Sequence, residues 1–296
     1  MDTGENREMK NVLLGLLLIT SLFGQVNRIL TISPTTGETI LGNQSLAFRN
    51  PAMNSFNTDT TTDLSFTNVK WLGNIVDDMG YNYVQANWKT FDFSLLYFDY
   101  GEQKYTDVDG LVNGHFSPNS MAAAVGWGTP LKYKGEKMDS VSIGFRGKVV
   151  FHDLHLEKTN GMLFDAGIHL EKLYGRVNVD FAVQNFGLMT KMNGYSLEIP
   201  TSFNVGIQIP IKEWDIYNQW NLYDGYYTHG QGISYNYKDM LWFKAGYFND
   251  IDNQLNYPSV GLDIKYDRYK IGLGMLQGDE THPLKNTLLL TINVEI

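Results

Sequence analysis

Three groups of side chains could do chemistry. His152-Asp153-Leu154-His155 is the densest histidine cluster. A zinc protease needs the order H-E-x-x-H on one helix face. This cluster lacks that order, and it falls between two predicted strands, so it reads as a polar connection. Asp107-Val108-Asp109-Gly110 begins like a calcium loop. Counted from Asp107, the twelfth position is Pro118, where a bidentate glutamate is required, and the sixth is Val112, where the sharp turn requires glycine. A turn is the better account. The third group is a set of charges spread over neighbouring segments: Arg146, Lys148, Asp165, His169, Arg176, Asp180, Lys244, Asp263 and Lys265. Both signs occur side by side, which favours cross-strand ion pairs over a same-sign ring that would select ions.

No further chemistry assembles. Gly272, Gly274 and Gly278 miss the dinucleotide spacing, and there is no G-x-S-x-G and no P-loop. Neither His169 nor His229 can be placed with a serine and a carboxylate in register. The chain contains no cysteine, which excludes disulfides, thiol catalysis and cysteine metal sites. No catalytic set, metal or cofactor is expected.

The elements that must position the charges are strands. In Tyr174–Phe186, Val177, Val179, Phe181 and Val183 fall on one face, and Arg176, Asn178, Asp180, Ala182 and Gln184 on the other. Period two with polarity this clean means a strand with one apolar and one polar face. From Asp63 onward the pattern recurs about fourteen times, most segments being near the length that crosses a bilayer at a tilt. Tight turns such as Trp88-Lys89-Thr90 and Asp267-Arg268 alternate with longer connections. The longest is Gly101–Ser120, a polar excursion with little pattern. No helix-period stretch separates the strands, which argues against a parallel α/β sheet.

Composition agrees. The 296 residues are 14% aromatic, with 29 glycines against 8 prolines. That suits a barrel with an apolar outer band and polar lumen. The formal charge of −9 argues against nucleic acid as a partner. The expected fold is all-β: a transmembrane antiparallel β-barrel of about fourteen strands with a short N-terminal plug. An even count and a strand at the C-terminus favour closure, which removes sheet edges. Trp71, Tyr100, Trp127, Tyr174, Tyr247 and Tyr269, near strand ends, are expected in interfacial girdles.

The chain divides into three regions. Residues 1–24 read as an export signal: Lys10, then the apolar run Val12–Phe23, then Gly24, with Met9 the expected start. Residues 25–61 do not alternate and form the expected plug, with a helix over Glu38–Phe48 ended by Arg49-Asn50-Pro51. Residues 62–296 form the barrel. Its surroundings are outer-membrane lipids; its oligomeric state is left open. The nine charges of the third group are expected to face the lumen and hold the plug.

Several stretches resemble the PorV/PorQ family of outer-membrane proteins, a branch related to FadL-type barrels. Asn50-Pro51-Ala52 resembles the family's N-terminal motif. Leu96–Phe116, with Asp107, Asp109, Gly110, His115 and Phe116, resembles its acidic-glycine turn and return strand. Val183-Gln184-Asn185-Phe186-Gly187 resembles its strand end, and Gly232–Tyr247 its hairpin, with Ser234 and Lys244 departing from the usual residues. The resemblance implies a non-enzymatic scaffold in type IX protein secretion and surface attachment. Its partners would be other secretion proteins, held by Gly101–Ser120 and Asp224–Gly230. The other reading is FadL-like: passive transport of hydrophobic small molecules, with an apolar pocket beside the plug.

Overall fold

The computed structural model describes residues 27–56, 62–73, 76, 78–106, 111–131, 138–155, 157–191, 197–223, 225–252, 256–278 and 282–296. The expected signal, 1–24, lies outside them, as do Asp107, Asp109 and Gly110.

The barrel strands are β1 (Thr62–Lys70), β2 (Gly80–Trp88) and β3 (Phe91–Asp99), then, after a small hairpin of β4 (Gln103–Thr106) and β5 (Val112–Phe116), β6 (Asn119–Leu131), β7 (Ser140–Asp153), β8 (Lys158–Leu173) and β9 (Val177–Met189). They continue with β10 (Ser202–Ile211), β11 (Trp214–Tyr223), β12 (Tyr226–Tyr237), β13 (Leu241–Asp250), β14 (Asn256–Tyr266), β15 (Tyr269–Leu276) and β16 (Thr287–Glu295). Fourteen of these close into one antiparallel barrel, as the strand pattern predicts. Closure is made by β1 on β16, from Asp63 opposite Glu295 to Val69 opposite Leu289. The Thr62 and Ile296 backbones bond each other in both directions at 2.9 Å, so the seam has no frayed edge.

The burial pattern is inside out for a water-soluble protein. Phe93, Val125, Phe145, Phe181, Phe203, Phe243 and Leu273 are exposed, while Thr67, Asp92, Ser142, Asp165, Asp180 and Gln219 are buried. An apolar outside over a polar, filled inside is the arrangement that lipid demands. Trp127, Tyr174, Tyr247 and Tyr269 lie on the outer surface, where girdle residues belong. Trp71 and Tyr100 do not: both line a cavity inside the barrel. One outer stretch also reverses polarity. Tyr81 and Tyr83 point inward, and exposed Asn68 donates to exposed Asn82 at 2.8 Å, each amide giving the other a partner on the apolar side.

The tight connections at Trp88–Phe91, Ile211–Trp214, Tyr237–Leu241 and Tyr266–Tyr269 share a rim with both ends of the barrel. Short turns mark the periplasmic rim, so the longer connections face outward.

Residues 27–56 occupy the lumen as short helical turns: Asn27–Thr31, Thr36–Ile40, Ser45–Arg49 and Pro51–Phe56. The expected single helix over Glu38–Phe48 is therefore two, broken where Gly42 (φ 82°) and Asn43 (φ 62°) adopt left-handed backbone. The wall is cut to fit this segment. A Cβ at Gly144 would overlap the Pro51 carbonyl, and one at Gly232 or Gly246 would overlap the Leu41 or Ile40 carbonyl. Glycine lets two backbones touch where any side chain would hold them apart.

Candidate functional site: a hatched lumen below an aromatic pocket

The lumenal segment is seated by hydrogen bonds from many strands, since its helical turns are too short to be stable alone. Thr36 N donates to Thr291 Oγ1 on β16 at 3.0 Å, and Ser259 Oγ on β14 donates to the Ile40 carbonyl at 2.7 Å. Leu46 N donates to Gln219 Oε1 on β11 at 2.9 Å. Asn50 Nδ2 donates to Asp180 Oδ1 on β9 at 2.8 Å and to the Ile168 carbonyl on β8 at 3.1 Å. Asn50 Oδ1 accepts from Ala52 N at 3.1 Å, and Pro51, between them, packs on Gly144. Asn50-Pro51-Ala52 is thus one anchor. Asn54 donates to Asp92, and Ser55 Oγ to Ser142 Oγ at 2.7 Å. A segment held this way on every side is a hatch.

One wall of the lumen carries a buried charge network. Arg146 lies 3.0 Å from Asp92 and 3.7 Å from Asp165, and its Nη1 donates to the Arg49 carbonyl of the hatch at 2.5 Å. Lys148 lies 2.7 Å from Asp165 and donates to Asn185 Oδ1 at 2.7 Å. His169 Nδ1 is 3.0 Å from Asp180. Across the lumen, Asp263 takes Lys244 at 2.6 Å and Lys270 at 3.2 Å. Every cation here meets a carboxylate, as buried charges must.

One of the predicted lumen charges falls elsewhere: Arg176 is exposed in the turn before β9, because Tyr174 and Gly175 adopt left-handed backbone and the strand begins only at Val177. Lys265 lines the lumen only at its periplasmic mouth, 43% exposed and 3.8 Å from Glu295, while Lys270 takes the place beside Asp263. Of the predicted outer loop, His115 contacts Glu102, and Phe116 stacks on His155 at 4.7 Å. The excursion is a hairpin, β4 on β5, rather than patternless. Of the expected loop Asp224–Gly230, Asp224 lies outside the described residues, and Tyr226–Gly230 is strand, with Tyr223 directly opposite Tyr226.

The stretch Gln184-Asn185-Phe186-Gly187 marks a bulge. Opposite β9, the register of β8 jumps at Asp165, leaving Gln184 and Asn185 against one residue. Asn185 has φ 59°, which asparagine tolerates better than most, and its N–H donates to Asp165 Oδ1 at 2.9 Å. The charge network and the bend therefore share Asp165.

Above the hatch lies a cavity of about 370 Å³. Its floor is the hatch, through Ile29, Ile32, Ser33, Thr39 and Asn43. Its wall is Trp71, Phe98, Tyr100, Tyr223, Phe248 and Tyr257, with Leu284 from the outer connection. Phe98 and Tyr100 pack at 4.8 Å between ring centres, and Phe248 and Tyr257 at 5.1 Å. Below the hatch, facing the periplasm, a polar cavity of about 320 Å³ is bounded by Thr36, Glu38, Asp63, Lys244, Asp263, Lys270 and Glu295. Glu38 is buried with Arg49 Nε 2.8 Å away. Burial pushes its carboxyl above the usual range, and Arg49 pulls it partly back.

Sequence reasoning expected an apolar pocket beside the plug on the FadL-like reading, but missed the residues that line it, as well as Asp92 and the Glu38–Arg49 pair. Asp92 was findable: it sits on the inward parity between Phe91 and Phe93. Phe98, Phe248 and Tyr257 share the inward parity of β3, β13 and β14 and were findable in the same way, whereas Trp71, Tyr100 and Leu284 come from connections, which carry no alternation.

Fold and lumen together define a transmembrane β-barrel of the outer-membrane type closed by an N-terminal hatch. No known family model matches the sequence, and no curated protein does. Among solved structures, the fold is similar to the Pseudomonas putida toluene transporter TodX, with a TM-score of 0.54 at 11% identity over 88% of this chain and 96% of that one. A TodX deltaS2S3 mutant, described as a monoaromatic hydrocarbon channel, superposes with a TM-score of 0.51 at 12% identity over 86% and 93% of the two chains. At such identities the likeness is one of fold.

Proposed function

We propose that the chain is a passive transporter of small hydrophobic molecules across the outer membrane. The observation that carries this reading is the aromatic-walled cavity of about 370 Å³ at the outer mouth, floored by the hatch. Its size is within the ~300–1,000 Å³ of small-molecule sites. An apolar solute gains burial there at about 25 cal/mol per Å². Passage then needs the hatch to shift, and the hatch is held by hydrogen bonds of about 1 kcal/mol each rather than by covalent links. The polar cavity below does not retain an apolar solute, and net movement follows the solute's concentration gradient. The likeness in fold to TodX favours this reading. A strain lacking the gene should take up an apolar aromatic solute more slowly than the complemented strain; equal uptake would overturn the proposal.

The second reading is the secretion scaffold. It draws support from the charge-filled wall and from the outer hairpin, where Tyr105 and Val112 are exposed. Co-purification of cell-surface secretion proteins from solubilised outer membrane would support it, and their absence would count against it.

A further inference from the structure

The lipid face of the barrel carries a groove of its own, which lies outside the lumen and does not depend on the transport reading. It encloses about 640 Å³ over β14, β15, β16 and β1, within the ~300–1,000 Å³ of small-molecule sites. Its sides are Val260, Leu262, Leu273, Met275, Leu288 and Leu290. Leu262 stands opposite Leu273, and Leu273 opposite Leu290, so one apolar row crosses three strands.

The row ends at β1 in polar groups, with Leu290 opposite Asn68. Along the outer face of β1 the order is Leu64, Phe66, Asn68, Lys70, all exposed. The strand starts at the periplasmic rim, so its polar half lies at the level of the outer leaflet. Asn68 Nδ2 donates to Asn82 Oδ1, and among the described residues the Nδ2 hydrogens of Asn82 meet no acceptor. Lys70 has no carboxylate partner among them, and no carboxylate lines the groove. A Cβ at Gly73 would stand 2.9 Å from Lys70 Cε, so the lysine stem runs past the end of β1 toward the outer connection and carries its ammonium to the headgroups.

Inside a bilayer the leucine row cannot choose between acyl chains by hydrophobicity, because lipid tails are as apolar as leucine. It holds a chain through contacts on more than one side. The choice of lipid falls to the polar end. An ammonium and an amide N–H at the headgroup level, with no competing anion, match the oxygens of a phosphate.

We propose that the groove binds an outer-leaflet lipid bearing a phosphate group. One acyl chain lies against Leu262, Leu273 and Leu290, and the phosphate accepts from Lys70 Nζ and Asn82 Nδ2.

The full chain in detergent micelles is titrated with dioleoyl phosphatidic acid and with dioleoylglycerol, which has the same chains and no phosphate. Bound lipid is counted by native mass spectrometry. Phosphatidic acid is expected to bind about tenfold more tightly, the size of one charge-assisted hydrogen bond. Lys70→Gln should remove that preference and leave dioleoylglycerol binding unchanged. Leu273→Trp fills the middle of the groove and should weaken both lipids several-fold. Both substitutions replace exposed side chains, and Lys70→Gln alone tests the phosphate contact should Leu273→Trp fail to insert. Excess inorganic phosphate should leave phosphatidic acid bound. Equal binding of the two lipids by the wild type, a preference that survives Lys70→Gln, or displacement of phosphatidic acid by inorganic phosphate would overturn the proposal. So would binding untouched by Leu273→Trp, or a mass of two chains without lipid, which would put a second copy on this face.

Discussion

Asn50 Nδ2 donates to Asp180 Oδ1 at 2.8 Å, joining the hatch to the barrel wall across 130 residues of sequence. The bond sits where the hatch turns from one helical piece into the next, and Asp180 also holds His169. Loss of the Asn50 amide removes two donors and one acceptor from a buried site. Asn50→Ala should loosen the hatch by about 1–3 kcal/mol. In planar bilayers the variant is expected to show discrete openings where the wild type is quiet. A variant as silent as the wild type would mean that this anchor does not hold the hatch.

Arg146 holds Asp92 and Asp165 at once and also bonds the hatch at Arg49. Arg146→Met keeps the volume and leaves Asp92 without its cation, while Asp165 keeps only Lys148. Breaking a buried pair from one side costs about 3–5 kcal/mol. The heat-modifiable gel shift should move to a clearly lower temperature. An unchanged transition would show that the network is not a brace.

Phe181 faces outward, 44% exposed, beside buried Asp180. Phe181→Arg should impair insertion by about 2–4 kcal/mol near the midplane. Asp180→Ala should insert normally and loosen the interior. The fraction protected from protease in outer-membrane preparations separates the two. Equal, mild effects would mean that the faces are reversed.

Glu38 supplies a pH dependence. Burial raises its carboxyl above the usual carboxylate value, so the folded hatch favours the protonated acid. Its stabilising contribution is present in full below the ordinary carboxylate range and is lost as pH rises through the raised value. Glu38→Gln mimics the protonated form. Wild type and Glu38→Gln should melt together in acid, and the wild type should fall behind as pH rises toward neutrality. Parallel melting curves at every pH would contradict this.

The barrel was legible because lipid imposes one rule on every strand. Phe181 and Asp180 could be assigned to opposite sides from alternation alone, and the same parity gave Arg146, Lys148, Asp165 and His169. Alternation says nothing about where a strand stops, which is why Arg176 fell into a turn and Lys265 onto the rim. It is equally silent about the hatch. Its course is set by glycines on distant strands, such as Gly144 under Pro51 and Gly232 under Leu41, and no local pattern records those meetings. The lining of the pocket was illegible for a further reason. Trp71 and Tyr100 sit at strand ends, where an aromatic can face either the interface or the lumen, and only the neighbouring rings decide.

On the transport reading, solute passes when the hatch moves. Thr36 Oγ1 and Thr291 Oγ1 are 2.8 Å apart, hatch against wall. With no native cysteine, a Thr36→Cys/Thr291→Cys pair can be oxidised without competing bridges. Uptake of a labelled apolar aromatic solute is then measured in a deletion strain carrying this variant. Little uptake is expected when the pair is oxidised, with recovery toward the wild-type rate after reduction. Uptake at the same rate in both states would contradict a moving hatch.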